Sequence, residues 1–115
     1  MNMLTTQDDQ IHAALYAALA HPARLEILRC LARQRICKCK DVVDALPLAQ
    51  STVSQHLKVL VDAGLVKAEL GRPASQYSLN NSVLAQLGRT TQSLVETCCA
   101  ADRCVDKTDG SCRDE

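Results

Sequence analysis

The sequence predicts a mostly α-helical domain with one small β-hairpin, ordered α-α-α-α-β-β-α. Three observations carry that expectation. Apolar residues recur at helical spacing up to Gly64, the pattern turns to alternation about a Gly- and Pro-containing turn between residues 65 and 79, and helical spacing returns after Asn80. At 115 residues the chain is the size of one small domain. Its 47% hydrophobic content supplies one modest core, which must be aliphatic because the chain has no Phe, no Trp and two Tyr. Aromatic platforms for stacking bases or sugars are thereby excluded.

Each element has its own justification. Ile11, Leu15, Ala18 and Leu19 place a short amphipathic helix over residues 8–20, ended by His21-Pro22. Pro22 suits the first turn of a second helix, where its missing N–H is no loss, and Leu25, Leu28 and Leu31 give that helix an apolar stripe to about residue 34. Residues 40–46 predict a third helix with Val42, Val43, Ala45 and Leu46 inward, interrupted by Pro47-Leu48. A fourth begins at Gln50 or Ser51, buries Val53, Leu57 and Leu60, and stops before Gly64, a residue suited to the left-handed position after a helix. Residues 65–70 and 75–79 read as strands joined by Gly71-Arg72-Pro73-Ala74. Asn80, Asn81 and Ser82 are good caps for a last helix, in which Val83, Leu87, Leu94 and Cys98 share a face to about residue 98. Residues 1–99 are thus expected to fold, and residues 100–115, polar and aperiodic, to form a flexible Cys-containing tail.

Thirteen basic and thirteen acidic residues cancel, but unevenly. Residues 24–72 hold nine bases against five acids, while residues 1–23 and 73–115 each carry a net −2. A basic middle between acidic ends points to a polyanionic partner. The fourth helix opens Gln50-Ser51-Thr52-Val53-Ser54-Gln55-His56-Leu57-Lys58. A helix that enters the major groove needs short hydrogen-bonding side chains near its start and an apolar opposite face. Gln50, Ser51, Thr52, Ser54, Gln55 and Lys58 lie off the apolar stripe and are the expected contacts to double-stranded DNA. His56 either joins them or packs against its own fold, and Arg72 at the hairpin tip is placed for a phosphate or the minor groove. Helix, tight turn, polar-fronted helix and hairpin make a winged helix-turn-helix. The stripe on the last helix has no evident partner within the chain except the first helix, which predicts a homodimer with recognition helices about one DNA turn, roughly 34 Å, apart.

The run LAQSTVSQHLKVLVDAGLV from Leu48 to Val66 resembles the recognition helix and following turn of the ArsR/SmtB family of bacterial metal-responsive repressors. Ala20-His21-Pro22-Ala23-Arg24-Leu25-Glu26-Ile27-Leu28 resembles the opening of that family's second helix. Gly71-Arg72 followed by Tyr77-Ser78-Leu79 is similar to its wing, one residue longer to Tyr77. The resemblance covers roughly residues 10–98. It implies a homodimer through the first and last helices that binds a near-palindromic operator and leaves it when a soft ion binds. An enzyme is not expected, since no paired acid and base, nucleophile elbow or phosphate loop is present.

Seven cysteines remain to be placed. Their odd number, and a start MNMLTTQDDQ without a charged region leading into an apolar run, predict reduced thiols in the cytoplasm. No run approaches the roughly 20 apolar residues of a membrane span. Cys30 is expected to be a small core residue. Cys37-Lys38-Cys39 resembles the Cys-x-Cys of the family's Glu-Leu-Cys-Val-Cys-Asp-Leu box, but out of register: the box cysteines fall on Lys38 and Lys40, and Cys39 on the valine between. Lys38 and Lys40 are expected to lower the thiol pKa values. Cys98-Cys99 followed by Cys104 is similar to a branch of arsenite-responsive repressors in which a Cys-Cys pair ends the last helix. Three thiolates satisfy trivalent arsenic in a pyramid, whereas tetrahedral zinc needs a fourth ligand, and residues 80–99 offer no His and only Glu96. As(III) or Sb(III) on Cys98, Cys99 and Cys104 is therefore the expected inducer. Cys37 and Cys39 are the less favoured pair, and Cys112 is an unassigned thiol. A methylated trivalent arsenical on two cysteines, a redox or sulfide switch through Cys37 or Cys39, and a metal-buffering protein without a DNA role stay open.

Overall fold

The computed structural model describes residues 7–71 and 75–102, and the chain divides between Leu84 and Ala85 into two units. The elements are α1 (Gln7–Leu19), α2 (Pro22–Gln34), β1 (Cys37–Lys38), α3 (Cys39–Ala45), α4 (Gln50–Asp62), β2 (Val66–Glu69), β3 (Gln76–Leu79) and α5 (Asn81–Asp102). The helices and the hairpin fall where periodicity places them, and α5 continues about one turn past residue 98. Strand β1 is the addition. It pairs antiparallel with β3, Cys37 opposite Tyr77, and so turns the hairpin into a three-stranded sheet ordered β1-β3-β2. Across the hairpin Val66 lies opposite Leu79 and Glu69 opposite Gln76.

The core is assembled around α4. Val53, Leu57 and Leu60 are all 0% exposed, as the spacing predicts, and α4 packs on α2, α3, β2 and α1. Ile27 and Leu31 from α2, Val42 from α3, and Leu65 and Val66 after α4 are buried with them, as are Leu15 and Ala18 of α1. The α2 stripe differs from expectation. Its buried residues are Ile27, Cys30 and Leu31, whereas Leu25 is 40% exposed and Leu28 half-buried. At about 100° per residue, two steps of three leave Leu25 about 120° from Leu31, while Ile27, Cys30 and Leu31 fit within about 100°. In α3, Val42 is buried, Val43 is half-buried and Ala45 faces solvent, and Leu46, just past its end, is half-buried.

Local chemistry fixes the ends of the helices. His21 is extended and its Nδ1 accepts the Ala23 N–H at 3.0 Å, capping α2. Arg35, at φ 66 and ψ −55, closes α2 through its N–H on the Leu31 carbonyl at 2.8 Å and turns the chain into β1. After α4, Gly64 donates to the Val61 carbonyl at 3.0 Å and Leu65 to the Leu60 carbonyl at 3.0 Å, the paired bonds of a Schellman ending. Gly64 sits at φ 89. Asn80 then joins two helix ends: its Nδ2 donates to the Gly64 carbonyl at 2.9 Å, and its Oδ1 accepts from Ser82 Oγ at 3.1 Å and from the Val83 N–H at 3.4 Å at the start of α5.

A Cβ added at Gly64 meets nothing within 4 Å, so its substitution isolates the backbone conformation. Gly64→Ala is expected to cost about 1–2 kcal/mol in urea unfolding, and Gly64→Asn less, because Asn tolerates the left-handed region. Equal losses for both would show that the turn is not held there.

Candidate nucleic-acid interface

The burial of one side of α4 dictates what the other side displays. Gln50, Ser51, Ser54, Gln55 and Lys58 are exposed, and Thr52 and His56 are half-buried at the flanks. The cap residue Ala49 gives the first-turn N–H groups no side-chain acceptor, and such helix starts suit an anion. Lys58 pairs with Asp62 at 3.3 Å, both well exposed. Such an i,i+4 pair is worth about 0.3–0.5 kcal/mol, little enough to be exchanged for a phosphate. Arg72 lies outside the described residues.

His56 is held from the protein side. Arg24 Nε donates to its Nδ1 at 3.1 Å, and Arg24 Nη1 donates to the Ala18 carbonyl at 3.2 Å near the end of α1. The His21 ring lies against the His56 ring, centroids 4.4 Å apart and tilted by 54°. Burial first, then the neighbouring His21 and Arg24, hold His56 below its ordinary pKa of 6.5. Sequence reasoning missed Arg24, which stands 32 positions from its partner. The available signal was the Arg two residues into a proline-opened helix, a place from which a long side chain crosses to the next element.

The thiols separate by environment. Cys30 and Cys37 are each 1% exposed, so Cys30 is the core residue expected. Cys37 Sγ lies 3.5 Å from Gln34 Oε1, and burial, followed by Cys30 and Asp41, pushes its pKa up to about 11. The expected lowering by Lys38 and Lys40 is therefore corrected for Cys37: desolvation outweighs flanking charge, and Lys40 is drawn to Asp44 at 3.7 Å. Cys39, half-buried, sits 3.5 Å from Ser54 Oγ on α4, whereas the neighbours of Cys37 are Gln34 and Cys30. Cys98 is exposed and Cys99 partly exposed on the last turns of α5. Cys104 and Cys112 lie outside the described residues. Among the described residues no group of three or more His, Cys, Asp or Glu is gathered to hold a metal, and no helix is long and apolar enough to cross a membrane.

Two measurements follow from these placements. Alkylation of the native chain near neutral pH is expected to modify Cys98 on the order of tenfold or more faster than Cys30 or Cys37, because a thiol buried in the core is out of the reagent's reach; peptide mapping that found Cys37 among the fast thiols would contradict its burial. Lys58→Ala is expected to weaken duplex binding whatever the sequence and to lower the salt slope by about 0.9 for each Lys58 in the complex. An unchanged slope would remove Lys58 from the phosphate contacts.

A family model described as bacterial regulatory protein, arsR family, matches residues 21–68, from the α2 cap into β2. The chain is 35% identical over 88 residues to a Synechocystis protein named transcriptional repressor SmtB homolog, covering 76% of this chain and 65% of that one. It is 29% identical over 100 residues to an arsenical resistance operon repressor of Staphylococcus xylosus, covering 87% and 94%, and 35% identical over 78 residues to the transcriptional repressor PagR of Bacillus anthracis, covering 68% and 75%. An ArsR-like transcriptional regulator from Rhodococcus sp. RHA1 shares the fold at a TM-score of 0.72 and 23% identity over 90% of this chain and 99% of that one. With the matched segment ending inside the wing and the polar face of α4 at its centre, the chain belongs to the arsR family of bacterial regulatory proteins and is a regulator of transcription, not an enzyme.

Proposed function

We propose that this repressor binds operator DNA as a homodimer through α4 and is released when As(III) or Sb(III) binds Cys98, Cys99 and Cys104. The observation that carries the reading is the exposed Cys98 beside Cys99 at the end of α5, in a chain whose relatives include arsenical resistance operon repressors of Staphylococcus xylosus and Bacillus subtilis. Thiolates are soft donors and select thiophilic acceptors. Consecutive helical positions diverge by about 100°, so holding both sulfurs on one arsenic requires the last turn to give way, which a helix end permits. Dimerisation is supported by the apolar side chains that α5 leaves in solvent, Leu94 at 54% and Val95 at 50%. Release then follows if the metalloid binds the low-affinity conformation better than the DNA-bound one.

A second reading has its own observation. Cys39 touches Ser54 on the DNA-facing side of α4, so oxidation or persulfidation of that thiol would act directly on the contact surface.

The test is fluorescence anisotropy on a duplex that the protein itself selects from a random pool, challenged in turn with arsenite, methylarsenite, antimonite, cadmium, zinc and peroxide. Arsenite or antimonite is expected to weaken binding about 5- to 150-fold, and the double variant Cys98→Ser, Cys99→Ser to abolish that response. Release that persists in the double variant would sink the assignment. Release by peroxide alone, lost in Cys39→Ser, would select the redox reading.

A further inference from the structure

We propose that Arg24 is a positioning residue for DNA recognition, fastening α4 through neutral His56 and releasing it when His56 takes a proton. The inference rests on the reading that α4 contacts DNA and adds a device that sets its placement. One guanidinium reaches three elements: it stands in the first turn of α2, donates through Nη1 to the Ala18 carbonyl of α1 and donates through Nε to His56 Nδ1 of α4.

The chemistry of the donor fixes the state of the acceptor. An arginine N–H only donates, so His56 must present a bare Nδ1 and carry its proton on Nε2. In that tautomer Nδ1 is the one basic site left on the ring. Proton uptake and the Arg24 bond therefore exclude each other, and an imidazolium would set a second cation 3.1 Å from the guanidinium nitrogen.

The surroundings do not relieve that conflict. From α2 and its cap the facing groups are Arg24 and His21, and His21 is itself held, its Nδ1 occupied by the Ala23 N–H at 3.0 Å. From α1 comes the Ala18 carbonyl, already accepting from Arg24. On α4 itself the nearest charges in sequence, Lys58 and Asp62, pair with each other. The lowered pKa of His56 agrees with this geometry. Its sign is plain: the folded form prefers the neutral ring, so the stabilisation is present above the ordinary 6.5 and is lost as pH falls through the lower folded value. His56 adjoins Gln55 and follows Ser54 by two positions, both on the exposed side of α4, so loosening its anchor shifts the residues offered to the groove.

Two readouts on the full chain test this, one of them independent of DNA. Imidazole nitrogen NMR is expected to find His56 as the Nε2–H tautomer, titrating below 6.5, with Arg24→Met moving that titration up. An Nδ1–H tautomer, or a titration that Arg24→Met leaves in place, overturns the tether. Anisotropy on the pool-selected duplex is expected to lose about 5-fold or more in affinity between about pH 7.5 and pH 5.5. In His56→Asn, whose Oδ1 takes the place of Nδ1 and does not titrate, the ratio between the two pH values is expected to fall toward one. The same ratio in both proteins overturns the switch. A chain that bound no duplex at any pH would overturn the DNA reading, and with it the role assigned to Arg24, while the NMR titration would still decide whether the tether exists.

Discussion

The structure depends on seating one face of α4. Val53, Leu57 and Leu60 are fully buried against α2, α3 and the strand that follows. Burial of each such side chain is worth about 1.5–3 kcal/mol, far more than any surface ion pair on the same helix. The apolar stripe therefore decides the rotation of α4, and its rotation decides that Gln50, Ser51, Ser54, Gln55 and Lys58 point outward. Recognition chemistry is displayed by the core, not arranged independently of it. The Arg24–His56 bond and the Gly64 ending then refine a position that packing has already chosen.

Charge on this chain has to be judged locally. The whole is neutral and its middle basic, yet part of that basic charge is already engaged: Arg29 and Arg33 both reach Glu26, at 2.9 and 3.5 Å, and Lys40 reaches Asp44. These pairs are exposed and individually weak. Their effect is to confine uncompensated positive charge, which favours a positioned contact over diffuse attraction to any polyanion.

What was legible in the sequence was whatever repeats. The stripe of α4 spans three positions at ideal spacing and came out at 0% exposure throughout, and the change of period after Gly64 gave the hairpin. Strand β1 has two residues, too few to show a period, and exists because Cys37 and Lys38 find an open edge on β3. In α2, leucines at intervals of three look aligned but wind around the helix, so the buried stripe falls on Ile27, Cys30 and Leu31 instead. Cys37 next to two lysines reads as a reactive thiol, yet burial sets its chemistry. The place of Arg24 in a proline-opened helix marks it as able to cross to another element, but nothing in the sequence names His56 as its partner, since their meeting depends on how α2 crosses α4.

On the proposed reading, sensing and recognition place opposite demands on side chains, which makes the thiols in the core poor candidates for the inducer. Cys30 and Cys37 help fill the volume that holds α2 and β1 together, so a ligand there would have to open the packing that seats α4. A helix end can be remodelled at lower cost, provided that its start is tied to something that matters. Asn80 is such a tie: one side chain caps the first turn of α5 and holds the carbonyl of Gly64 that terminates α4. A change that rotates the opening turn of α5 must either break these bonds or pull on the end of α4. The coupling a ligand can exert is bounded by its differential affinity for the two arrangements, so a small shared joint of a few hydrogen bonds suits a response of about 1–3 kcal/mol, where a fully packed core would resist it.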